Sequence, residues 1–225
     1  MAENAPAMRP SPGRHRLSRE FVAQHQRARI IAALGEESGV KGYRAVTVAD
    51  IVRRAGIARN TFYENFSSKE ACYLTAAEYA LEELLDRVIT AAERVGSWPA
   101  RVNAGLAAFL GFVAAEPALA RICIVEALAA GPSAADRYER SIQAFVPLLR
   151  LGRKVSPHGE ALPHTLEETI VGGIFWIVYQ RFALQQVGEI ESLRGELVEF
   201  ALTPYVGAEA ARRVATTPPC RADRG

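Results

Sequence analysis

A chain of 225 residues, 49% of them apolar, carries enough nonpolar side chain for a sizeable core, which excludes general disorder. The net charge of +2 is unevenly spread: residues 1–69 hold 12 lysines and arginines against 6 acids, and residues 70–225 hold 15 against 19. A basic leading part on an acidic remainder fits a polyanion-binding head on a body with another task.

Residues 1–17, with prolines and Arg9, Arg14 and Arg16 but no apolar core, read as a disordered basic arm rather than a secretory signal. From Ser18 to about Ser38 the sequence reads as a helix, with Ala28, Ile31 and Ala32 on one face, broadened by Ile30 and Leu34 and anchored by Phe21 and Val22. Val48, Ile51, Val52 and Ala55 then fall at i, i+3, i+4 and i+7, and Thr47 with Asp50 forms a capping box. Gly56 sits where a tight turn needs a residue tolerant of positive φ. A short helix from about Ala58 to Asn65 turns Phe62 and Phe66 inward and leaves Arg59, Asn60, Thr61, Tyr63 and Glu64 outward. Ser67, with Glu70 three places on, is expected to cap the next helix. An exposed face of Arg, Asn, Thr and Tyr suits a major groove: Arg can bond guanine, Asn adenine, and Thr a thymine methyl, while Tyr and Lys reach phosphates.

The order T-V-x-x-I-V-x-x-A-G-I-x-x-x-T-F-Y-x-x-F-x-S-K-E over Thr47–Glu70 closely resembles the DNA-binding signature of the tetracycline-repressor (TetR) family. The resemblance runs from Arg19 to Leu74, about a quarter of the chain. It implies an all-α protein with three helices for DNA (residues 18–72) and a helical body for effector binding and dimerisation (residues 73–215). Two positions depart from the family pattern. Ala58 stands where a capping Ser is usual, and Arg59 and Asn60 stand where smaller residues are frequent, so base preference should differ from that of relatives.

Beyond the signature, a long helix from Lys69 to about Val95 keeps Leu74, Ala77, Leu81, Leu84, Leu85 and Val88 at helical spacing. Gly96-Ser97-Trp98-Pro99 breaks it, and Ser97 caps a helix to about Ala115. Further helices are expected to about Ala130, from a Ser133–Asp136 capping box to about Leu151, from a Thr165–Glu168 cap to about Val187, and from Ile190 to Leu202. Thr203-Pro204 is expected to end the last of these. A short helix, Ala208 to Ala215, and a disordered tail at 216–225 complete about nine or ten helices. Residues 152–163 read as a polar loop. The Thr165–Val187 helix is apolar nearly all round and must be covered on several sides.

Cys72, Cys123 and Cys220 lie far apart without framework spacing and read as free thiols. The longest apolar runs are too short for a bilayer, so the expectation is a cytoplasmic protein without a membrane partner. His158 and His164 bracket Glu160 without metal-ligand spacing, and no phosphate loop or nucleophile elbow appears; no metal, cofactor or catalytic residue is expected. The candidate DNA contacts are Thr47, Arg59, Asn60, Thr61, Tyr63, Asn65 and Lys69. The family resemblance implies a homodimer on palindromic operator DNA, with an interface on the last two long helices through Ile170, Gly172, Gly173, Ile174, Leu193, Leu197 and Phe200. It also implies a pocket for a small, mostly apolar effector, for which Phe109, Phe112, Phe145, Trp176 and Tyr179 are the candidate walls. The function expected is a ligand-responsive transcriptional repressor. Alternatives are a regulator whose body engages a protein and, more remotely, an all-α enzyme.

Overall fold

The computed structural model describes residues 19–126 and 132–219, and among these it contains ten α-helices and no strand. The basic arm, Cys220, and the expected helical stretch at 127–130 lie outside the described residues, as do the side chains of Phe21, Val22 and Ser133. Helices α1 (Arg19–Lys41), α2 (Val48–Ala55) and α3 (Arg59–Asn65) form the head, with a 3-10 turn at Tyr43–Ala45. The 25-residue α4 (Lys69–Glu93) leads into the body. There α5 (Trp98–Ala115) and α6 (Pro117–Ala120) are followed by a π-helical turn, Arg121–Val125. Then come α7 (Pro132–Arg150), α8 (Leu166–Ala183), α9 (Arg194–Val206) and α10 (Ala208–Thr216).

Two apolar cores are present. Ile30, Leu34, Ile51, Phe62, Phe66 and Tyr73 centre the head, and this cluster also takes in Ile122 from the π turn of the body. The body packs Leu84, Leu110, Val113, Ile170, Val178 and Leu202. The face of α1 differs from expectation: Ala28 and Ala32 are exposed, and Ile30, Ile31, Leu34 and Ser38 turn inward.

The turn motif follows its local chemistry. Thr47 Oγ1 accepts from the Asp50 amide at 3.3 Å while Asp50 Oδ2 accepts from the Thr47 amide at 2.9 Å, a complete capping box. Gly56 closes α2 at φ 61°, ψ 43°, the left-handed conformation that costs other residues strain. Arg29 of α1 donates to the last carbonyl of α2, Ala55 O, at 2.5 Å.

Five helix ends are corrected. Ser68, not Ser67, caps α4, accepting from the Ala71 amide at 3.0 Å. Thr165 precedes α8 without a side-chain cap, and α8 ends at Ala183, four residues early, where Gln185 turns to φ 56°. Residues Val187–Leu193 form a 3-10 segment, so α9 begins at Arg194. Pro204 lies inside α9, which continues to Val206: proline withholds only one amide hydrogen, and the helix stops at Gly207. The 151–163 segment holds 3-10 turns at Leu151–Lys154 and Gly159–Ala161.

Asp50 also anchors the head electrostatically. Its Oδ2 lies 2.5 Å from Lys41 Nζ, and Arg53 reaches Oδ1 at 3.0 Å. The Lys41 contact, then the Thr47 hydrogen bonds, hold the carboxyl well below its ordinary value of 3.8. A carboxyl depressed on folding stabilises the fold above its unfolded value, and that contribution is lost as pH falls through the folded one. Melting temperature is therefore expected to drop on acidification below about pH 4, and Asp50→Asn to flatten that acid limb. Thermal melts between about pH 6 and pH 2 check this; equal slopes in both proteins would count against it.

Candidate nucleic-acid interface and body cavity

The candidate recognition surface is the outer face of α3. Ala58 starts the helix with no side-chain cap. Phe62 and Phe66 are buried and fix the helix against α1 and α4, with Arg27 lying 4.6 Å over the Phe66 ring. Arg59, Asn60 and Glu64 are exposed and Tyr63 half-exposed. Arg59 Nη2 stands 3.4 Å from Tyr63 Oη, its guanidinium 5.7 Å from that ring, so these two side chains present as a pair.

The remaining candidates are more engaged. Thr61 is half-buried, and Asn65 Nδ2 donates back to Thr61 O at 2.8 Å. Thr47 is exposed, but its hydroxyl donates to Asp50 Oδ2 at 2.6 Å. The ammonium of Lys69 donates to Tyr43 O at 3.0 Å and Val46 O at 2.8 Å, with Arg44 O at 3.4 Å, and sits 4.4 Å from the Tyr43 ring centroid. Burial pulls this lysine below its ordinary pKa. The expectation that it simply faces a phosphate is revised, because three carbonyls of the turn ahead of α2 already occupy it.

A cavity of about 230 Å³ lies in the body between α4, α5, α7 and α8. Phe109, Phe145 and Phe175 form one wall, with ring centroids 5.7 to 6.3 Å apart. Val88, Leu106, Val171 and Ile174 extend it, and the exposed Ile89, Glu93, Arg101 and Leu151 stand among its lining residues. Of the expected walls, Phe109 and Phe145 line it and the other three do not. Phe112 is buried on another side of α5 beneath the Arg87 guanidinium, 5.2 Å away. Trp176 is 50% exposed and stacks on Tyr179 at 5.3 Å. Phe175 and Trp98 were missed. Val171, Ile174 and Phe175 share one α8 face at i, i+3 and i+4, a signal the all-round apolarity of this helix concealed.

Beside the cavity, Glu167 is fully buried. Arg153 Nε and Nη2 donate to its two oxygens at 2.7 and 2.9 Å, and Tyr205 Oη donates at 3.0 Å. Arg153 also donates to Leu162 O at 3.0 Å and Pro163 O at 2.6 Å, tying the 151–163 segment to α8. Burial alone would raise the Glu167 carboxyl, but the Arg153 and Tyr205 hydrogen bonds prevail and hold it below its ordinary value.

The expected interface residues divide. Ile170, Ile174, Leu193 and Leu197 are buried in the chain's own core and are not available to a partner. Phe200 is 48% exposed, and a side chain at Gly173 would begin 3.5 Å from its ring, so Gly173, Trp176 and Phe200 share one outer face. Gly172 is half-buried near Ile142. Cys72 and Cys123 are buried, and burial pushes both thiols up to about 12, the chemistry of small core residues. Among the described residues no His, Cys, Asp or Glu cluster is suited to a metal, and no single helix is long and apolar enough to cross a membrane.

The described residues thus combine a helix-turn-helix head with a cavity-bearing helical body. Residues 30–76 match the family described as bacterial regulatory proteins, tetR family. Over those residues the chain is similar to regulators of the TetR family. It is similar to the HTH-type transcriptional activator FasR of Mycolicibacterium smegmatis, 29% identical over 112 residues, or 50% of this chain and 51% of FasR. The chain thus spans about half the length of that curated relative. Its fold is similar to that of FadR, a fatty acid degradation regulator from Bacillus halodurans (TM-score 0.71, 16% identity, 79% of this chain and 94% of the other). It also resembles FadR from Bacillus subtilis in complex with stearoyl-CoA (TM-score 0.67, 16% identity, 78% and 97%).

Proposed function

We propose that the protein is a homodimeric transcriptional repressor that holds palindromic operator DNA through α3 and leaves it when a small, mostly apolar effector enters the body cavity. One observation carries this reading. Helix α4 is unbroken, with Lys69 at its first turn closing the segment ahead of α2, and Val88, Ile89, Ala92 and Glu93 of its last turns bordering the cavity. Twenty-five residues span about 37 Å, so one rigid element joins the sensing and reading ends. An effector that fits only one setting of α4 shifts the population of head spacings by its differential affinity. The apolar wall favours a small molecule over a protein as the body's partner, and a fold of this kind holds stearoyl-CoA in the B. subtilis FadR. Glu93 and Arg101 supply the only charged side chains among the described lining, suited to orienting one polar end of such a ligand.

Selection of duplexes from a random pool tests the reading. The wild type should enrich a palindrome whose half-sites lie about one helical turn apart. Arg59→Ala and Asn60→Ala should each cost about 1–3 kcal/mol and relax preference at one position per half-site. Unchanged base preferences in both variants would remove α3 as the reading element. With that duplex in hand, an apolar-ligand screen should find compounds that raise the melting temperature and weaken DNA binding together. Compounds that do only the first would end the effector claim.

A further inference from the structure

The head meets the body at a second place besides α4. Glu126, immediately after the π turn, is 3% exposed, and its Oε2 accepts the Tyr43 backbone amide at 3.1 Å across 83 positions of sequence. Its Oε1 lies 3.6 Å from Arg121 Nη1. The Arg121 guanidinium rests 5.3 Å over the ring of Phe182, near the carboxyl end of α8. A side chain at Gly39 of α1 would begin 3.7 Å from Arg121 Nε, so this arginine lies where α1, α8 and the π turn converge. Tyr43 is held from its other side by Lys69, which takes its carbonyl and covers its ring. Its own ring packs 4.6 Å from that of Tyr73, whose hydroxyl donates to Ile122 O at 3.3 Å.

We propose that Glu126 is a positioning residue for the DNA-reading head: a body carboxylate that fixes the 3-10 turn ahead of α2 and, through Arg121, makes its seating depend on the end of α8. The physical argument is one of stakes. A buried carboxylate is costly unless it is paired, and here the Tyr43 amide hydrogen-bonds one oxygen while the Arg121 guanidinium, 3.6 Å from the other, balances the charge. A small displacement of the π turn, which carries Arg121 along with Glu126, takes Oε2 off the Tyr43 amide and leaves that buried oxygen without its donor, so the joint is either engaged or released rather than gradually loosened. π turns inside helical segments recur at functional sites because their widened backbone gives carbonyls and side chains unusual directions. Residue 43 precedes the Thr47 cap by four positions, so the setting of this turn is passed directly to α2 and, across Gly56, to α3. The purpose assigned to the joint rests on the DNA-binding reading; its existence does not.

Hydrogen exchange on the full chain without DNA tests the joint. Glu126→Ala should speed exchange of the Tyr43 amide about tenfold to a hundredfold, with head residues 30–76 accelerated well beyond the body. Glu126→Gln keeps an acceptor oxygen and should fall between wild type and Ala, a graded rescue that simple loss of packing does not give. Unchanged exchange at Tyr43, or equal acceleration of head and body, overturns the proposal. If the Ala variant fails to fold, the Gln variant decides by the same head-against-body criterion. On a duplex enriched by the wild type, both variants should bind more weakly with base preferences unchanged; altered base preferences would count against a positioning role. Should the wild type enrich no duplex, the DNA reading fails while the exchange result stands separately.

Discussion

Glu167→Ala is expected to lower unfolding free energy by about 3 kcal/mol, the lower end of the cost of breaking a buried ion pair. The lower end applies because Arg153 keeps 20% of its side chain at the surface and can recover some hydration. Removal of the carboxylate leaves Tyr205 Oη without its acceptor and Arg153 without its bidentate partner, while the loop carbonyls of Leu162 and Pro163 still compete for the guanidinium. The loss should be local as well as global. Leu151, a cavity-lining residue, opens the segment that Arg153 fastens to α8, so limited proteolysis should cut within 151–163 before the head is touched. Urea unfolding followed by circular dichroism measures the first effect. A loss below about 1 kcal/mol would show that the network contributes little more than a surface pair. Because replacing both partners of a buried pair by apolar groups can be nearly neutral, the double variant Glu167→Leu with Arg153→Met should regain part of the loss.

If the chain forms the proposed dimer through the face of Trp176 and Phe200, Trp176→Arg is expected to convert it into monomers, with association weakened at least about thirtyfold, the effect of losing a central aromatic anchor worth 2 kcal/mol or more. Trp176 and Phe200 are each about half exposed and lie on one face of α8 and α9, beside a glycine that leaves room for a partner's backbone or ring. Arginine at a half-exposed site does not disturb the chain's own core, which separates this variant from Leu197→Arg, where burial predicts unfolding instead. Tyr79→Arg supplies the control, since Tyr79 of α4 is 49% exposed and belongs to neither helix of that face. Sedimentation at micromolar concentration decides: a Trp176→Arg dimer as tight as wild type, or equal weakening by Tyr79→Arg, would move the interface elsewhere. Operator affinity should fall with the dimer, because a monomer reaches only one half-site.

What the sequence disclosed followed the range of the interaction concerned. The Thr47–Asp50 capping box and the Gly56 turn depend on atoms within a few residues, and both stand where the spacing puts them. The cap of α4 shifted by one residue because Ser67 and Ser68 offer the same hydroxyl, and only backbone geometry chooses between them. Periodicity told that α8 is covered on several sides but not by what. Phe175 faces the cavity, Ile170 and Val178 face the core, and Trp176 faces outward, a division fixed by neighbouring helices rather than by spacing. Arg153 lies in a stretch that reads as polar loop, yet its guanidinium closes a buried network with Glu167 and Tyr205. Glu167 lies 14 positions from Arg153, and Tyr205, which donates to the same carboxylate, lies 38 positions beyond Glu167, outside any local pattern.

The membership of Ile122 in the head's core bears on how such proteins recombine. A chimaera joined within α4, taking residues 1–74 from this chain and the body from another regulator, would keep α3 and the Thr47–Asp50 capping box of α2. It would lose the isoleucine that fills the socket beneath Tyr73, and with it the carbonyl that takes the Tyr73 hydroxyl. The transplantable unit is therefore discontinuous: residues 30–76 together with the short stretch from Leu119, which packs on the same cluster, to Glu126. Gene fusions that respect only the first segment should yield regulators that bind weakly whatever their operator, and carrying both across should restore them.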